Sequence, residues 1–247
     1  YADRELYLAD PDFVRVPVAG LTDPAYLARR SALISPDRTL TNVEPGKPAG
    51  APTGLGLGLT PVEHGTSHFV AVDRRGNVVT YTSTIESVFG SGLVVGGYYL
   101  NNELTDLSIV PLRDGKPVAN RVEGGKRPRS SMSPTLVFAP DGKLKAALGA
   151  AGGATIIVQV AKAIVGMIDW GLPAQEATAL ATLFSPGGTV YVEQGTTLEA
   201  MIPALRALGH RDVRAREPVF KANAIERVGD RWHGAADPRS EGGAIAE

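Results

Sequence analysis

Gly65-Thr66-Ser67 places two hydroxyl residues behind a glycine, at the start of an alternating apolar run. A threonine hydroxyl is a useful nucleophile only when a base is held beside it, and the α-amine of an N-terminal threonine is one such base. That amine has an ordinary pKa of about 7.7–8.0, so it can accept the hydroxyl proton near neutral pH. Thr66 is therefore a candidate nucleophile if the chain is cut before it. The same residues also suit an ordinary strand start.

Other hydroxyl and carboxylate groups lie further along the chain. Thr84 follows in TYTSTI, on the next predicted strand, where a solvated strand face is the other interpretation. Glu103 and Asp106 are two carboxylates three residues apart, which suits either the binding of a cationic amino group or the capping of a helix. Both pairs of alternatives stay open from these residues alone.

Two loops have the composition of anion sites. Ser130 and Ser131 follow cations in KRPRSSMSP and suit a substrate carboxylate, although loop hydroxyls also satisfy local backbone groups. Gly152 and Gly153 lie in GAAGGA, where a strand runs into a helix. Backbone N–H groups at such a junction can stabilise an oxyanion, but a glycine loop there also serves packing.

The composition favours small-molecule partners. The 247 residues include 43% hydrophobic and 21% charged residues, which is ordinary for one large globular domain. The formal net charge is -1 and no long Lys/Arg run occurs, so neither nucleic acid nor an anionic membrane is indicated. No apolar run approaches the length of a bilayer span. The start, YADRELYLAD, is unlike a signal peptide and has the character of a piece of a longer chain.

Cysteine and histidine usage predicts neither a metal nor another cofactor. The chain has no cysteine, which excludes disulfides, thiolate metal sites and a cysteine nucleophile. The four histidines do not have the spacing of a metal site, and the pair His64 and His68 flanks a predicted cut and strand start rather than a helix. Zinc and phosphate-loop motifs are absent from the sequence.

Hydrophobic periodicity predicts an α+β fold built in layers, because antiparallel hairpins alternate with amphipathic helices. Residues 44–60 are dense in Gly and Pro and read as a flexible exposed linker. The predicted hairpins cover residues 66–85 and 134–149, with further strands at 189–193, 222–228 and 231–236. The predicted helices begin at Asp23, Ala154, Pro173 and Thr197, and the second of them presents an apolar face from Ile156 to Ile168.

Five segments, in this order, resemble the small subunit of γ-glutamyltransferases (γ-glutamyltranspeptidases) of the N-terminal-nucleophile hydrolase superfamily: TSHFVAVDRRGNVVTYTSTIESVFGSG, LNNELTD, KRPRSSMSPT, GAAGGATII and AADPRS. Residues 1–43 are similar to the C-terminal end of that family's large subunit. The resemblance implies an αββα sandwich, partly completed by the large subunit. It also implies a division into residues 1–65, the large-subunit end with its linker, and residues 66–247, the catalytic small subunit.

By this resemblance the precursor cuts itself between Gly65 and Thr66. The freed Thr66 then takes the γ-glutamyl group from glutathione or a related donor and passes it to water or to an amino-acid or peptide acceptor. The resemblance assigns the remaining roles by position: Thr84 to bonding the nucleophile, Gly152 and Gly153 to the oxyanion hole, Ser130 and Ser131 to the donor's α-carboxylate, and Glu86, Glu103 and Asp106 to its α-ammonium.

Departures from the family pattern leave alternatives open. Many relatives carry Asn in place of Glu86 and Gln in place of Glu103, the segment between Asp106 and Lys126 is short for a full lid, and the family's carboxylate-binding arginine belongs to the large subunit. A cephalosporin or glutaryl acylase of the same superfamily is the nearest alternative, and a non-catalytic, unprocessed fragment is another. Relatives of this kind are periplasmic or secreted, which is the expected location.

Overall fold

The computed structural model describes residues 1–40, 42–58, 65–218 and 220–245. The helices are α1 (Ala2–Tyr7), α2 (Val18–Leu21), α3 (Pro24–Ser31), α4 (Thr155–Ile168), α5 (Ala174–Ala179), α6 (Thr197–Ala200) and α7 (Ile202–Ala207), with a short 3₁₀ helix at Glu103–Asp106. The strands are β1 (Gly65–Val72), β2 (Val78–Glu86), β3 (Val94–Val95), β4 (Tyr98–Tyr99), β5 (Leu112–Arg113), β6 (Lys116–Pro117), β7 (Thr135–Phe138), β8 (Leu144–Ala151), β9 (Leu183–Phe184), β10 (Thr189–Glu193), β11 (Asp212–Arg216), β12 (Lys221–Val228) and β13 (Arg231–Ala236).

A four-stranded antiparallel sheet in the order β13-β12-β8-β7 forms the centre of the fold. Successive side chains of a strand point to opposite faces. The alternate β8 residues Ala146, Leu148 and Ala150 pack in one core cluster with Ile156 and Val160 of α4. Since β8 is built mostly of alanine and glycine, the helix can lie close to the sheet on this face.

The β1–β2 hairpin covers the opposite face of that sheet. The ring of His68 lies against Gly149, where an added Cβ would come within 2.3 Å of it. The Thr80 hydroxyl donates to the carbonyl of Leu148 at 3.1 Å, and the Asn223 amide donates to the carbonyl of His68 at 2.9 Å. The described elements therefore stack as helices, sheet and hairpin, and the predicted layered α+β fold is confirmed.

The N-terminal segment is bound to the loop that precedes β7. Asp10 accepts two hydrogen bonds from the Arg127 guanidinium, at 2.9 and 2.7 Å, and one from its backbone N–H at 2.9 Å. Buried Arg129 pairs with buried Glu5. These contacts bridge more than a hundred residues of sequence, so ion pairs attach α1 and the turn after it to the body of the fold.

The Gly/Pro-rich run is less free than its composition predicts. Gly46 N–H donates to Asp3 at 2.7 Å, Gly58 N–H donates to the carbonyl of Glu5 at 3.0 Å, and Gly56 bridges to Val118. A Cβ at Gly56 would come within 2.9 Å of a backbone carbonyl oxygen. Glycines here serve close approach of the backbone rather than slack. The end of the run, residues 59–60, and residues 61–64 after it lie outside the described residues.

Most of the predicted elements are present with small differences at their ends. The predicted helix over 197–208 is divided into α6 and α7, with Met201 between them, because Pro203 has no N–H to continue the helical ladder. Ile168, expected on the buried face of α4, is 52% exposed at the last position of that helix. Strand β11, which pairs parallel to β10, was not predicted.

Candidate active site

The predicted cut site lies at the start of β1, against the end of β2. Gly65 pairs with Glu86, and a register shift separates this pair from that of Ser67 and Ser83. The Thr84 hydroxyl donates to the Gly65 carbonyl, which belongs to the peptide bond joining Gly65 to Thr66. That same hydroxyl oxygen accepts the backbone N–H of Glu86 at 2.8 Å. Thr84 is therefore fixed as a hydrogen-bond donor to the carbonyl that a cut before Thr66 would attack.

Two backbone features make this contact possible. A Cβ on Gly65 would lie 2.5 Å from the carbonyl oxygen of Glu86, so only glycine allows the two strand ends to approach this closely. Glu86 itself has a φ of 69°, in the left-handed region where a non-glycine residue is strained. The turn of the backbone at Glu86 aims its N–H at Thr84 and its side chain into the neighbouring cleft.

A partly open cleft of about 240 Å³ lies beside this junction. It brings together residues that are far apart in sequence, from both strands of the hairpin, the 3₁₀ helix and the serine loop: Gly65, Thr66, Thr84, Glu86, Glu103, Asp106, Ser130 and Met132. Six of the nine catalytic and binding residues predicted from the sequence line this one cleft.

Three carboxylates give one side of the cleft a strong preference for a cation. Burial, followed by the charge of Glu86, raises the pKa of Asp106 to about 6, although Arg4 and Arg129 act to lower it. Burial, followed by the charges of Asp106 and Glu86, also raises the pKa of Glu103. Because the like charges oppose one another, a bound ammonium group would stabilise all three ionised carboxylates.

The Glu86 carboxylate is held in place by its neighbours. The Ser87 hydroxyl donates to it at 2.6 Å, and the Asn102 amide donates to the same oxygen. Asn102 also accepts the backbone N–H of Ser87 at 2.9 Å. Asn102, in LNNELTD, therefore orients one of the acidic groups, a role that its sequence position did not reveal.

The two predicted serines have different environments. Ser130 lines the cleft, whereas Ser131 is buried behind it and accepts a hydrogen bond from Arg4 Nη2 at 2.7 Å. The Arg129 guanidinium donates to the backbone carbonyl of Arg4 at 2.9 Å. Arg129 belongs to the cations that the sequence placed before the two serines, whereas Arg4 was not predicted as a neighbour of the site, since no local pattern could connect it with a serine 127 residues away.

Gly152 and Gly153 follow β8 and precede α4, and they are not among the residues that line the cleft. Their φ values are 122° and 59°, which glycine adopts without strain and which turn the chain from strand into helix. Along β1, the ring of His68 lies on Gly149. Thr66 lies two residues earlier in this strand, at the register shift between Gly65 and Ser67.

His68 is a neutral packing residue between the two layers. Burial lowers its pKa to about 4. Its Nδ1 is 2.8 Å from the Thr82 hydroxyl, and its Nε2 is 3.3 Å from the Thr80 hydroxyl. His64, which the sequence pairs with His68 at a spacing of four residues, lies outside the described residues. Over the described ranges, no cluster of three or more His, Asp or Glu residues is arranged to hold a metal ion.

A protein-family model described as gamma-glutamyltranspeptidase matches residues 1–247. The chain belongs to the γ-glutamyltranspeptidase family. It is 35% identical over 257 aligned positions to a glutathione hydrolase proenzyme of Bacillus subtilis (strain 168), covering 99% of this chain and 42% of the relative. It is also 34% identical to an acylase ACY 1 proenzyme of Pseudomonas sp. (strain SE83), covering 100% of this chain and 41% of the relative. The chain thus spans less than half the length of these relatives.

A solved γ-glutamyltranspeptidase structure has the same fold. The structure from Pseudomonas nitroreducens, complexed with L-DON, matches at a TM-score of 0.62 with 29% identity, covering 73% of this chain and 98% of that one. The resemblance of the five sequence segments to this family is confirmed. Within the described part of this family member, no helix is long and apolar enough to cross a membrane.

Proposed function

We propose that this chain carries the catalytic centre of an enzyme that transfers or hydrolyses γ-glutamyl groups after self-cleavage before Thr66. The observation that carries the proposal is the single cleft in which Thr66, Thr84, three carboxylates and Ser130 meet. An acidic side of the cleft suits the α-ammonium of a γ-glutamyl donor such as glutathione. The serine side suits its α-carboxylate.

Self-cleavage is the first step. The Thr66 hydroxyl oxygen attacks the Gly65 carbonyl carbon, the C–N bond breaks, and the hydroxyl proton passes to the nitrogen. Water then hydrolyses the resulting ester, which leaves a Gly65 carboxylate and a free Thr66 with its own α-amine. The hydrogen bond from Thr84 to the Gly65 carbonyl supports this step, since it stabilises the negative charge that develops on the oxygen.

In the second step the Thr66 amine serves as base and its hydroxyl attacks the γ-amide carbon of the donor. The backbone N–H groups of Gly152 and Gly153 stabilise the oxyanion, and an ester of the γ-glutamyl group with Thr66 forms as the donor's amine leaves. Water, an amino acid or a peptide then takes the acyl group and regenerates the hydroxyl. Holding both charged groups of the donor orients its amide for attack. The proposal includes no metal or cofactor.

The division of the chain follows from the same proposal. Residues 1–65 form the end of a large subunit and residues 66–247 form the small subunit. The match to the solved Pseudomonas nitroreducens chain covers 98% of that chain and 73% of this one. Residues 66–247 make up close to the same fraction of this chain. The ion pairs of Asp10 with Arg127 and Glu5 with Arg129 would keep the two pieces together after the cut.

The rest of a large subunit is the proposed macromolecular partner. The outer face of the β1–β2 hairpin is apolar and open, with Phe69, Val79 and Tyr81 each at least 50% exposed. This is the face on which the fourth layer of an αββα sandwich would pack, and large exposed apolar patches mark such interfaces. Tyr98 of the β3–β4 hairpin is also exposed, at 77%. A periplasmic or secreted location is proposed on the family resemblance.

Two measurements test this function. Intact-mass analysis of the purified protein should reveal a new N-terminus at Thr66, and an uncut chain would favour the non-catalytic alternative. Hydrolysis of γ-glutamyl-p-nitroanilide should exceed that of glutaryl-p-nitroanilide, which lacks the α-ammonium. Activity on the glutaryl compound alone would favour the acylase alternative, which similarity to the Pseudomonas sp. acylase keeps open.

A further inference from the structure

Arg4 lies outside every role assigned so far, yet it touches the serine loop of the cleft. It belongs to α1, is 7% exposed, and donates from Nη2 to the Ser131 hydroxyl oxygen at 2.7 Å. A guanidinium has donors only and accepts nothing. The Ser131 hydroxyl proton is therefore not engaged by Arg4 and can be donated to another acceptor.

The charged groups around Arg4 place a positive field on one side of the cleft. Arg4 and Arg129 are both buried and share the carboxylate of Glu5, which bonds Arg4 Nη1 at 3.1 Å and also pairs with Arg129. Two guanidinium groups thus lie near one carboxylate. Their positive field reaches the cleft, because both act to lower the pKa of Asp106.

A hydrogen-bonded frame fixes the distance between the positive and negative sides. Asn120 is 1% exposed and accepts the backbone N–H of Arg129 at 3.1 Å, while its amide donates to the carbonyl of Asp106 at 2.8 Å. The loop with the serines and the helix with the carboxylates are therefore held as one unit. A ligand head that carries an ammonium and a carboxylate matches such an arrangement better than one with either charge alone.

We propose that Arg4 is a positioning residue for the donor's α-carboxylate, which it serves through Ser131 by orienting the hydroxyl and supplying positive charge. This inference rests on the proposed γ-glutamyl function and gives it a specificity element. The residue comes from the segment before the cut, so the carboxylate side of the site is built from both pieces of the processed chain.

Ligand-induced stabilisation of the purified protein tests the role without requiring turnover, since a ligand that binds the folded state raises the melting temperature. The three probes are L-glutamate, 4-aminobutyrate, which lacks the α-carboxylate, and glutarate, which lacks the ammonium. In Arg4→Gln, roughly ten- to a hundredfold more L-glutamate or glutarate should be needed for a given shift, as expected for a lost charge-assisted contact. The 4-aminobutyrate response should match that of the unmodified protein.

Matched variants separate this role from docking of the N-terminal segment. Arg127→Gln breaks a different arginine contact with that segment, the one between Arg127 and Asp10. The Arg127 side chain is 66% exposed, and its loss should leave all three responses unchanged. Arg4→Lys keeps a cation and should recover part of the L-glutamate response. In a Ser131→Ala background, Arg4→Gln should add little, because the two residues act as one contact.

The outcomes that overturn the inference are equally specific. They are an unchanged L-glutamate response in Arg4→Gln, an equal loss for 4-aminobutyrate, an equal loss in Arg127→Gln, or an unmodified protein that L-glutamate does not stabilise. Hydrolysis of γ-glutamyl-p-nitroanilide is measured on the same samples. If L-glutamate binds in an Arg4-dependent way but no donor is hydrolysed, the inference stands and the proposed function fails; hydrolysis with no Arg4 dependence gives the reverse result.

Discussion

Replacing Thr84 with valine should slow self-cleavage far more than it disturbs the fold. Valine keeps the shape of the side chain but removes the hydroxyl that donates to the Gly65 carbonyl. In the attack by Thr66 this carbonyl oxygen becomes an oxyanion. Loss of one donor aimed at such an oxygen costs about 2.7–4 kcal/mol in the barrier, which is a rate loss of roughly 10²–10³.

A second effect of the same substitution falls on stability rather than rate. The Glu86 N–H, which donates to the Thr84 hydroxyl at 2.8 Å, loses its acceptor. An unpaired buried donor costs about 1–3 kcal/mol. This cost is present before and during the attack, so it lowers the melting temperature without changing the cleavage barrier.

The assay is an intact-mass time course of freshly produced chain, in which the fraction cut between Gly65 and Thr66 is followed at a fixed temperature. Thr84→Ser keeps the hydroxyl and should cut at close to the original rate. Thr82→Val is the matched control, because it removes a hydroxyl on the same strand that contacts His68 and not Gly65. If Thr84→Val cuts as fast as the unmodified chain, or if Thr82→Val is slowed as much, the assignment of Thr84 is wrong.

Three further predictions concern the carboxylate cluster and the layer contact. With the pKa of Asp106 near 6 in the empty site, its carboxyl proton must leave before an ammonium binds, so KM for a γ-glutamyl donor should rise as pH falls below about 6. Asp106→Asn should raise KM and make it less dependent on pH in this range. A KM of the unmodified protein that does not change with pH would contradict the prediction. Gly149→Ala puts a methyl group within 2.3 Å of the His68 ring and should cost about 1–3 kcal/mol in a urea titration, whereas the same change at open Gly187 should cost far less. The folded-state pKa of His68 is about 4 against an ordinary 6.5, so the stabilisation that comes from keeping His68 neutral is complete above pH 6.5 and is lost as pH falls towards 4. The free energy of unfolding should fall by about 3 kcal/mol over that window. His68→Gln should lack this pH-dependent loss, and unfolding titrations at a series of pH values would measure it.

Local sequence patterns predicted the strands and helices that carry the site, because each of these elements is specified within one short segment. The alternation of β1 and β2 and the turn after Asp73 define the hairpin, and the glycines before α4 mark its start. The layered arrangement followed from these elements, since each has one apolar face to bury. The order of the five motifs then grouped residues that no single motif could connect.

The contacts that complete the site could not be predicted in this way. Arg4 meets Ser131, and Glu5 meets Arg129, across more than 120 residues, and ion pairs of this kind leave no periodic trace. Asn102 can orient the Glu86 carboxylate only because the chain between them turns back and brings Asn102 into contact with Ser87. The Gly/Pro-rich run was misjudged as free because composition records flexibility in the unfolded chain and not the partners that a backbone finds in the folded one.

The left-handed backbone conformation at Glu86 is a feature of the site that lowers the stability of the fold. A non-glycine residue at a φ of 69° costs on the order of 1–3 kcal/mol, and glycine in its place would relieve that cost. It would also delete one of the three acidic groups on which donor binding is proposed to depend. Relief of backbone strain and retention of the Glu86 carboxylate, with its hydrogen bonds to Ser87 and Asn102, therefore act in opposite directions at this position.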